Sequence, residues 1–302
     1  MPLSATIFHV SRCSLHDGPG MRMVIYFKGC NLSCRWCHNP ESHRFEKEIA
    51  FEPQKCVGCG RCAAVCPQCH ILTENGVFFS RSGCVLCGKC TEVCAAKALT
   101  VVGREHTVEE LRETILKDKA YYGQDGGVTL SGGECLLFPD FAAELLKDCK
   151  EHGIGTLVES AFCVPESNVE NVFPFKDTFY VDLKLFDSEK HADYTGQPND
   201  RILRNIRTYA KRHPSFIVRI PVIPTVNDDD ENLKKSVAFA RDCGVKKVEL
   251  LKFNPLGVSK YQTIGRTATI FAEEAQTKEE MSRLVDNLNT FVGETDYVYS
   301  IR

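Results

Sequence analysis

The stretch RMVIYFKGCNLSCRWCHNPE, residues 22–41, decides the architecture. It opens with six residues dense in β-branched and aromatic side chains, the composition of a strand buried on both faces. It runs straight into Cys30, Cys34 and Cys37, spaced C-x3-C-x2-C. A strand that hands over to a metal-binding loop at its C-terminal end is the layout of parallel α/β proteins, whose sites sit at that end of the sheet. Three thiolates can hold three irons of a [4Fe–4S] cube, since thiolate is the soft ligand such clusters take. One iron is then left open, and an open coordination position is what allows a metal site to bind and activate another molecule. A closed structural zinc site built on the same cysteines is the competing reading.

Further runs of the same kind follow: GVTLS (127–131), TLVES (156–160), FYVDLKL (179–185), FIVRIPV (216–222) and KVELLKF (247–253). Between them lie amphipathic segments. Thr107 and Glu110 form a capping box ahead of ELRETILKDKAYY. Asp140–His152 precedes Gly153 at a C-cap position. Asp200–Arg212 and Asp230–Cys243 continue the alternation, and Thr277 with Glu280 caps a last helix before an edge strand at 296–301. Six strand–helix repeats predict an α/β fold, a partial (β/α)6 barrel of the TIM type.

Residues 51–101 break this pattern. They contain Cys56, Cys59, Cys62 and Cys66, spaced C-x2-C-x2-C-x3-C and followed by Pro67. Cys84, Cys87, Cys90 and Cys94 repeat the spacing, with Ala95 in place of the proline. This is the arrangement of a two-cluster ferredoxin, in which the fourth cysteine of each run serves the other cluster. The stretch reads as an inserted ferredoxin-like α+β domain held together by metal rather than by a core. The barrel then comprises residues 1–50 and 102–302. Cys56, Cys59, Cys62 and Cys94 are assigned to one cube, and Cys84, Cys87, Cys90 and Cys66 to the other. Two zinc knuckles are the competing reading. The remaining six of the 17 cysteines are scattered, the pattern of small buried hydrophobes, although Cys13 and Cys69 lie close to a motif.

Charged residues make up 25% of the chain and the net charge is −3, which gives no reason to expect nucleic acid or an anionic membrane as partner. No apolar run approaches a membrane span and no secretory leader is evident, so the expected location is the cytoplasm.

Taken with HDGPG (16–20), GGVTLSGGE (126–134), VDLK (181–184) and RIPVIP (219–224), the cluster motif resembles that of the radical S-adenosylmethionine superfamily. The combination is similar to the activating enzymes of glycyl radical enzymes, the formate-lyase activases among them, and extends along the whole chain. The resemblance implies that the open iron holds the amino and carboxylate groups of S-adenosylmethionine and that one electron cleaves it to methionine and a 5′-deoxyadenosyl radical. That radical takes hydrogen from a backbone glycine of a partner enzyme. Cys30, Cys34 and Cys37 become catalytic ligands, with Trp36 and His38 flanking the cosubstrate. Gly132, Gly133 and Glu134 are implied at its amino group, and Cys135 stands where the family often has proline. Asp182 and Lys184 are implied near its methionine part. Glu159 is implied beside a monovalent cation, and Asn254 at a position that is histidine in the formate-lyase activases. Asp17 and Arg219 are implied to face the partner's peptide, while His16 reads as structural. The cofactors implied are three [4Fe–4S] clusters and S-adenosylmethionine; the electron donor is a reduced flavodoxin or ferredoxin. Two other functions are open at this point: a radical enzyme acting on a small molecule or another protein site, and an electron-transfer iron–sulfur protein.

Overall fold

The computed structural model describes residues 3–74, 76–269 and 274–300. Its strands are β1 (Ser4–Ser14), β2 (Arg22–Phe27), β3 (Glu48–Phe51), β4 (His70–Thr73), β5 (Gly76–Phe79), β6 (Leu99–Val102), β7 (Arg104–Thr107), β8 (Gly127–Gly132), β9 (Gly155–Ser160), β10 (Thr178–Asp182), β11 (Phe216–Val222), β12 (Lys247–Lys252) and β13 (Val298–Ser300). Nine of them form one sheet in the order β13-β12-β11-β10-β9-β8-β2-β1-β7. From β2 to β13 every pairing is parallel and follows the order of the chain. Among the described residues the sheet does not close; the predicted six-strand run from β2 to β12 is extended by β13 on one side and by β1 and β7 on the other.

One edge departs from the expectation. β1 pairs antiparallel with β2, and β7 pairs antiparallel with β1. The segment SATIFHVSRCS lacks the dense Val and Ile content of the other strands, and its pairing with β2 is what makes it a strand. The helical segment ELRETILKDKAYY, 110–122, breaks at Asp118, whose carboxylate pairs with Arg12 on β1.

Strand alternation explains how the sheet carries a site. Met23, Ile25, Phe27, Val128, Leu130, Val158, Phe179, Val181, Val218, Ile220, Val248 and Leu250 face the helices and form the main core. The alternate positions, Arg22, Tyr26, Thr129, Ser131, Glu159, Tyr180, Asp182, Arg219 and Glu249, line the other face. The core helices, Pro139–Glu151, Asp200–Tyr209, Asp230–Asp242 and Lys278–Val292, lie where the periodicity places them, and both predicted capping boxes are formed.

The cysteine-rich stretch hangs between β3 and β6, which pair antiparallel. Its predicted limits, 51 and 101, fall inside these two strands. Within it are the short helices Arg61–Val65 and Lys89–Glu92 and the β4–β5 hairpin. Its buried apolar set is Ile49, Cys62, Cys66, Cys69, Phe79, Cys90 and Leu99. Four of these seven are cysteines, which leaves little hydrocarbon for some fifty residues. At its base, Glu48 on β3 accepts from the buried Lys28 at 2.8 Å and from Arg266 at 2.6 Å.

Candidate active site

A cavity of about 1140 Å³ opens at the C-terminal ends of the parallel strands. The sheet delivers its lining in order. β2 ends in the loop that carries Cys30, Cys34, Trp36, Cys37 and His38; β8 ends in Gly132 and Gly133; β9 supplies Glu159, β10 Asp182 and Lys184, β11 Arg219, and β12 leads to Asn254. Asp17 and His16 also face it. Of the residues to which the sequence reading gave a place in the site outside the insert, Glu134 is missing from this lining.

The three-cysteine loop is clamped from behind. Ser33 N donates to Thr195 O at 2.8 Å and Arg35 N to Tyr194 O at 3.0 Å. Trp36 packs against Tyr194, with ring centroids 6.1 Å apart. On the other side, Gly133 is pressed onto the start of the loop: a Cβ there would lie 2.2 Å from Gly29 O. Gly133 N and Glu134 N donate to Phe27 O and Gly29 O. The glycine pair thus joins the ends of β2 and β8 by direct backbone contact, which a side chain would prevent.

Glu134 is placed differently from the role implied for its side chain. It is 1% exposed, and its carboxylate accepts from Ser160 Oγ at 2.8 Å, Ala161 N at 3.0 Å and Leu136 N at 3.1 Å. It therefore fixes the turn after β9 from beneath the site and leaves the cavity to the two glycines. Burial outweighs these bonds and raises its pKa from 4.5 to about 7. A carboxyl whose folded pKa exceeds its unfolded value binds the proton more tightly in the native state. Stability then falls as pH rises between about 4.5 and 7 and is level above that window, by roughly 3 kcal/mol in total. Urea unfolding of the apoprotein at pH 5 and pH 8 should show this decline, and Glu134→Gln should flatten it. An unchanged slope in the variant would assign the pH dependence elsewhere.

Lys184 Nζ lies 2.8 Å from Asp182 Oδ2. Burial opposes its charge, but the neighbouring Asp182 carboxylate outweighs burial and keeps the ammonium protonated. The other Asp182 oxygen is buried without a partner. Arg219 is 3% exposed, lies 3.8 Å from the Tyr180 ring centroid, bonds Glu249 through Nε, and donates to Glu159 at 2.8 Å. The second Glu159 oxygen accepts from Ser131 at 2.7 Å. Each Glu159 oxygen thus accepts one hydrogen bond and keeps a further acceptor lone pair. Asn254 Oδ1 accepts from Leu256 N at 3.0 Å and shapes the turn after β12. Asp17 bonds Ser14 through its carboxylate, and its backbone oxygen accepts from Thr129 at 2.8 Å.

Sequence reading passed over Tyr26, Ser131, Tyr180 and Glu249, although the period-two alternation that marks the strands also marks these positions as the face away from the helices. Parallel register sets Asp182 opposite Arg219, Arg219 opposite Glu249 and Glu249 opposite Tyr299, a row no single segment reveals.

The donor set fits an iron–sulfur cube. Burial raises the Cys30, Cys34 and Cys37 thiols, Cys37 to about 12. These thiols ionise when a metal takes their electrons rather than in the free protein. Among the described residues, no group of three Cys, His, Asp or Glu side chains is already gathered around a single point. A cube takes its thiolates on separate irons.

The Radical SAM superfamily model matches residues 24–237. The chain is 37% identical over 296 residues to the indoleacetate decarboxylase activating enzyme of Tractidigestivibacter scatoligenes, covering 94% of each chain. It is 38% identical to the trans-4-hydroxy-L-proline dehydratase activating enzyme of Clostridioides difficile, covering 96% of this chain and 100% of the relative. In fold it is similar to Streptococcus suis SuiB bound to its precursor peptide SuiA (TM-score 0.56, 14% identity), covering 92% of this chain and 48% of that one.

Proposed function

Because the chain belongs to the Radical SAM superfamily, and within it to the activating enzymes, we propose that it installs a radical on a backbone glycine of a partner enzyme. The observation that carries this reading is one cavity that brings together three cysteine thiols, an unpartnered carboxylate oxygen and a half-buried ammonium. Cys30, Cys34 and Cys37 would hold the cube. Asp182 offers its free oxygen to the ammonium of S-adenosylmethionine, and Lys184 is the charge complement of its carboxylate. Gly132 and Gly133 permit close backbone approach, while Trp36 and His38 border the same space. When bound, the cube supplies the electron that cleaves the cosubstrate to methionine and a 5′-deoxyadenosyl radical. The hydrogen atom then passes from the glycine Cα to the 5′ carbon, leaving the unpaired electron on the partner. Asp17 and Arg219, on the cavity wall, would shape the space that the partner's peptide enters.

In the insert, three observations support two further cubes. Cys56, Cys59, Cys62 and Cys94 line one cavity of about 140 Å³, so the fourth cysteine of the second run joins the first three of the first run. Cys66, for its part, groups with Cys84, Cys87 and Cys90. The backbone repeats with the sequence: Gly58 and Gly60 have φ of +67° and +70°, and Leu86 and Gly88 have +55° and +80°. Leu86 holds a left-handed conformation where the first run has glycine, a strain that the surrounding structure must impose.

Under anoxia, reconstituted protein with reductant and S-adenosylmethionine should yield 5′-deoxyadenosine. With its partner it should give a glycyl radical signal in paramagnetic resonance, lost when that glycine is alanine. No 5′-deoxyadenosine, and no spectral response to S-adenosylmethionine, would refute the reading. The insert is proposed to relay electrons from reduced flavodoxin or ferredoxin. Cys59→Ala with Cys87→Ala should slow cleavage driven by the protein donor far more than cleavage driven by dithionite. Equal rates with the protein donor would leave the insert a docking role only.

A further inference from the structure

The two proposed cluster sites of the insert are not built alike. The first has four cysteines on its cavity wall and no fifth. At the second, Cys69 is 1% exposed and packs into the same small core as Cys66, Cys84 and Cys90. Cys66 is a member of that core and Cys84 packs against it, so both adjoin Cys69. The chain enforces this closeness. Pro67 ends the helix Arg61–Val65. Cys69 N donates to Cys66 O at 3.2 Å, which folds the C-x2-C segment back on itself. Ser80 N donates to Cys69 O at 2.8 Å and ties the segment to the hairpin. The next residue, His70, is 2% exposed and stacks on Phe79 at 4.6 Å; neither ring nitrogen has a partner among the described residues. Such an unpaired polar group is costly in a protein core and points to a neighbour other than hydrocarbon.

We propose that the second cluster is held by a five-thiol site, in which Cys66 and Cys69 are alternative ligands to the same iron. Exchange between them balances without a redox partner. As the iron–sulfur bond moves from Cys66 to Cys69, the Cys69 thiol proton passes to the released Cys66 thiolate, and the charge of the site is unchanged. Cys66 and Cys69 share one small buried cluster, so the proton passes between neighbouring side chains. A cluster with a reserve ligand survives oxidation of one thiol, and a change of ligand alters the hydrogen bonding that sets its potential. Cys94, the corresponding ligand of the first cluster, has no such neighbour on its cavity wall.

This inference rests on the two-cluster reading, and iron counting separates the two. Full-length protein is reconstituted anoxically, iron and acid-labile sulfide are counted, and the reduced spectrum is recorded by paramagnetic resonance. Wild type should carry about twelve irons, three cubes of four. Cys94→Ala should lose about four of them. Cys66→Ala and Cys69→Ala should each keep the wild-type count, with distinct spectra for the second cluster, and the double variant should lose about four. Loss in Cys66→Ala as large as in Cys94→Ala, loss in Cys69→Ala alone, or a full count in the double variant would each overturn the shared site. A wild type with about four irons would overturn the two-cluster reading and the shared site together. Retention of the S-adenosylmethionine-responsive signal in every variant controls for folding.

Discussion

Cys34→Ala is expected to bring 5′-deoxyadenosine formation to background and to lower the iron content by about four atoms per chain. The chemistry has one origin, and Cys34 is the middle ligand of the three that hold it. The substitution is a clean test because the loop does not depend on this side chain for its shape. Backbone bonds from Ser33 and Arg35 to Thr195 and Tyr194 fix the loop on both sides of Cys34, and Cys37 N donates to Cys34 O whatever the side chain. Lys184 loses a thiolate neighbour but keeps Asp182 at 2.8 Å, so the charge pair beneath the site persists. The matched control is Cys149→Ala. Cys149 is also buried, on the core-facing side of the helix Pro139–Glu151, and its replacement should cost some stability without changing iron or product. Full iron and full cleavage in Cys34→Ala would mean that the cube is held elsewhere.

The strands were legible where sequence density and burial coincide. β2 and β11 have their predicted bounds because RMVIYF and FIVRIPV are continuous runs with abrupt ends. FYVDLKL was read as a strand to residue 185, but β10 ends at Asp182, where the chain turns away and Leu183 N makes a last bond to Arg219 O. β1 and β7 escaped reading because antiparallel edge strands owe their structure to a partner rather than to composition. Cluster ligands were legible because spacing along the chain is part of their chemistry. The charged row on the inner face was not: Glu249 sits within a strand that was read correctly, yet only the register of β10, β11 and β12 reveals that it faces Arg219. Glu134 shows the converse limit. The motif was recognised, but whether its carboxylate or its backbone faces the cavity depends on Ser160, contributed by the next strand.

That row makes Arg219→Met the substitution with the largest expected effect on stability. The guanidinium stands between Glu249 and Glu159, with Asp182 opposite it on the neighbouring strand and Tyr180 against its face. Methionine approximates the volume but leaves two carboxylates in the interior without a counter-charge. Breaking a buried pair in this way costs about 3–5 kcal/mol, a large share of the roughly 5–15 kcal/mol that holds a domain folded. The sign of the pH dependence follows. Burial already raises Glu159 and Glu249, and Arg219 opposes that rise. Without the arginine both carboxyls are raised further, so the native state of the variant binds protons more tightly than its unfolded chain. Its stability then falls as pH increases, and its deficit against wild type should be smaller at pH 5 than at pH 8. Urea unfolding of the two apoproteins at these pH values measures this directly. Adding Glu249→Gln to Arg219→Met should recover part of the loss, since one of the stranded charges is removed. A deficit below about 1 kcal/mol, the range of an exposed ion pair, would show that the carboxylates find other partners. A large, pH-dependent deficit together with unchanged 5′-deoxyadenosine formation in the folded fraction would show that Arg219 holds Glu159 and Glu249 in place without acting on the cleavage step.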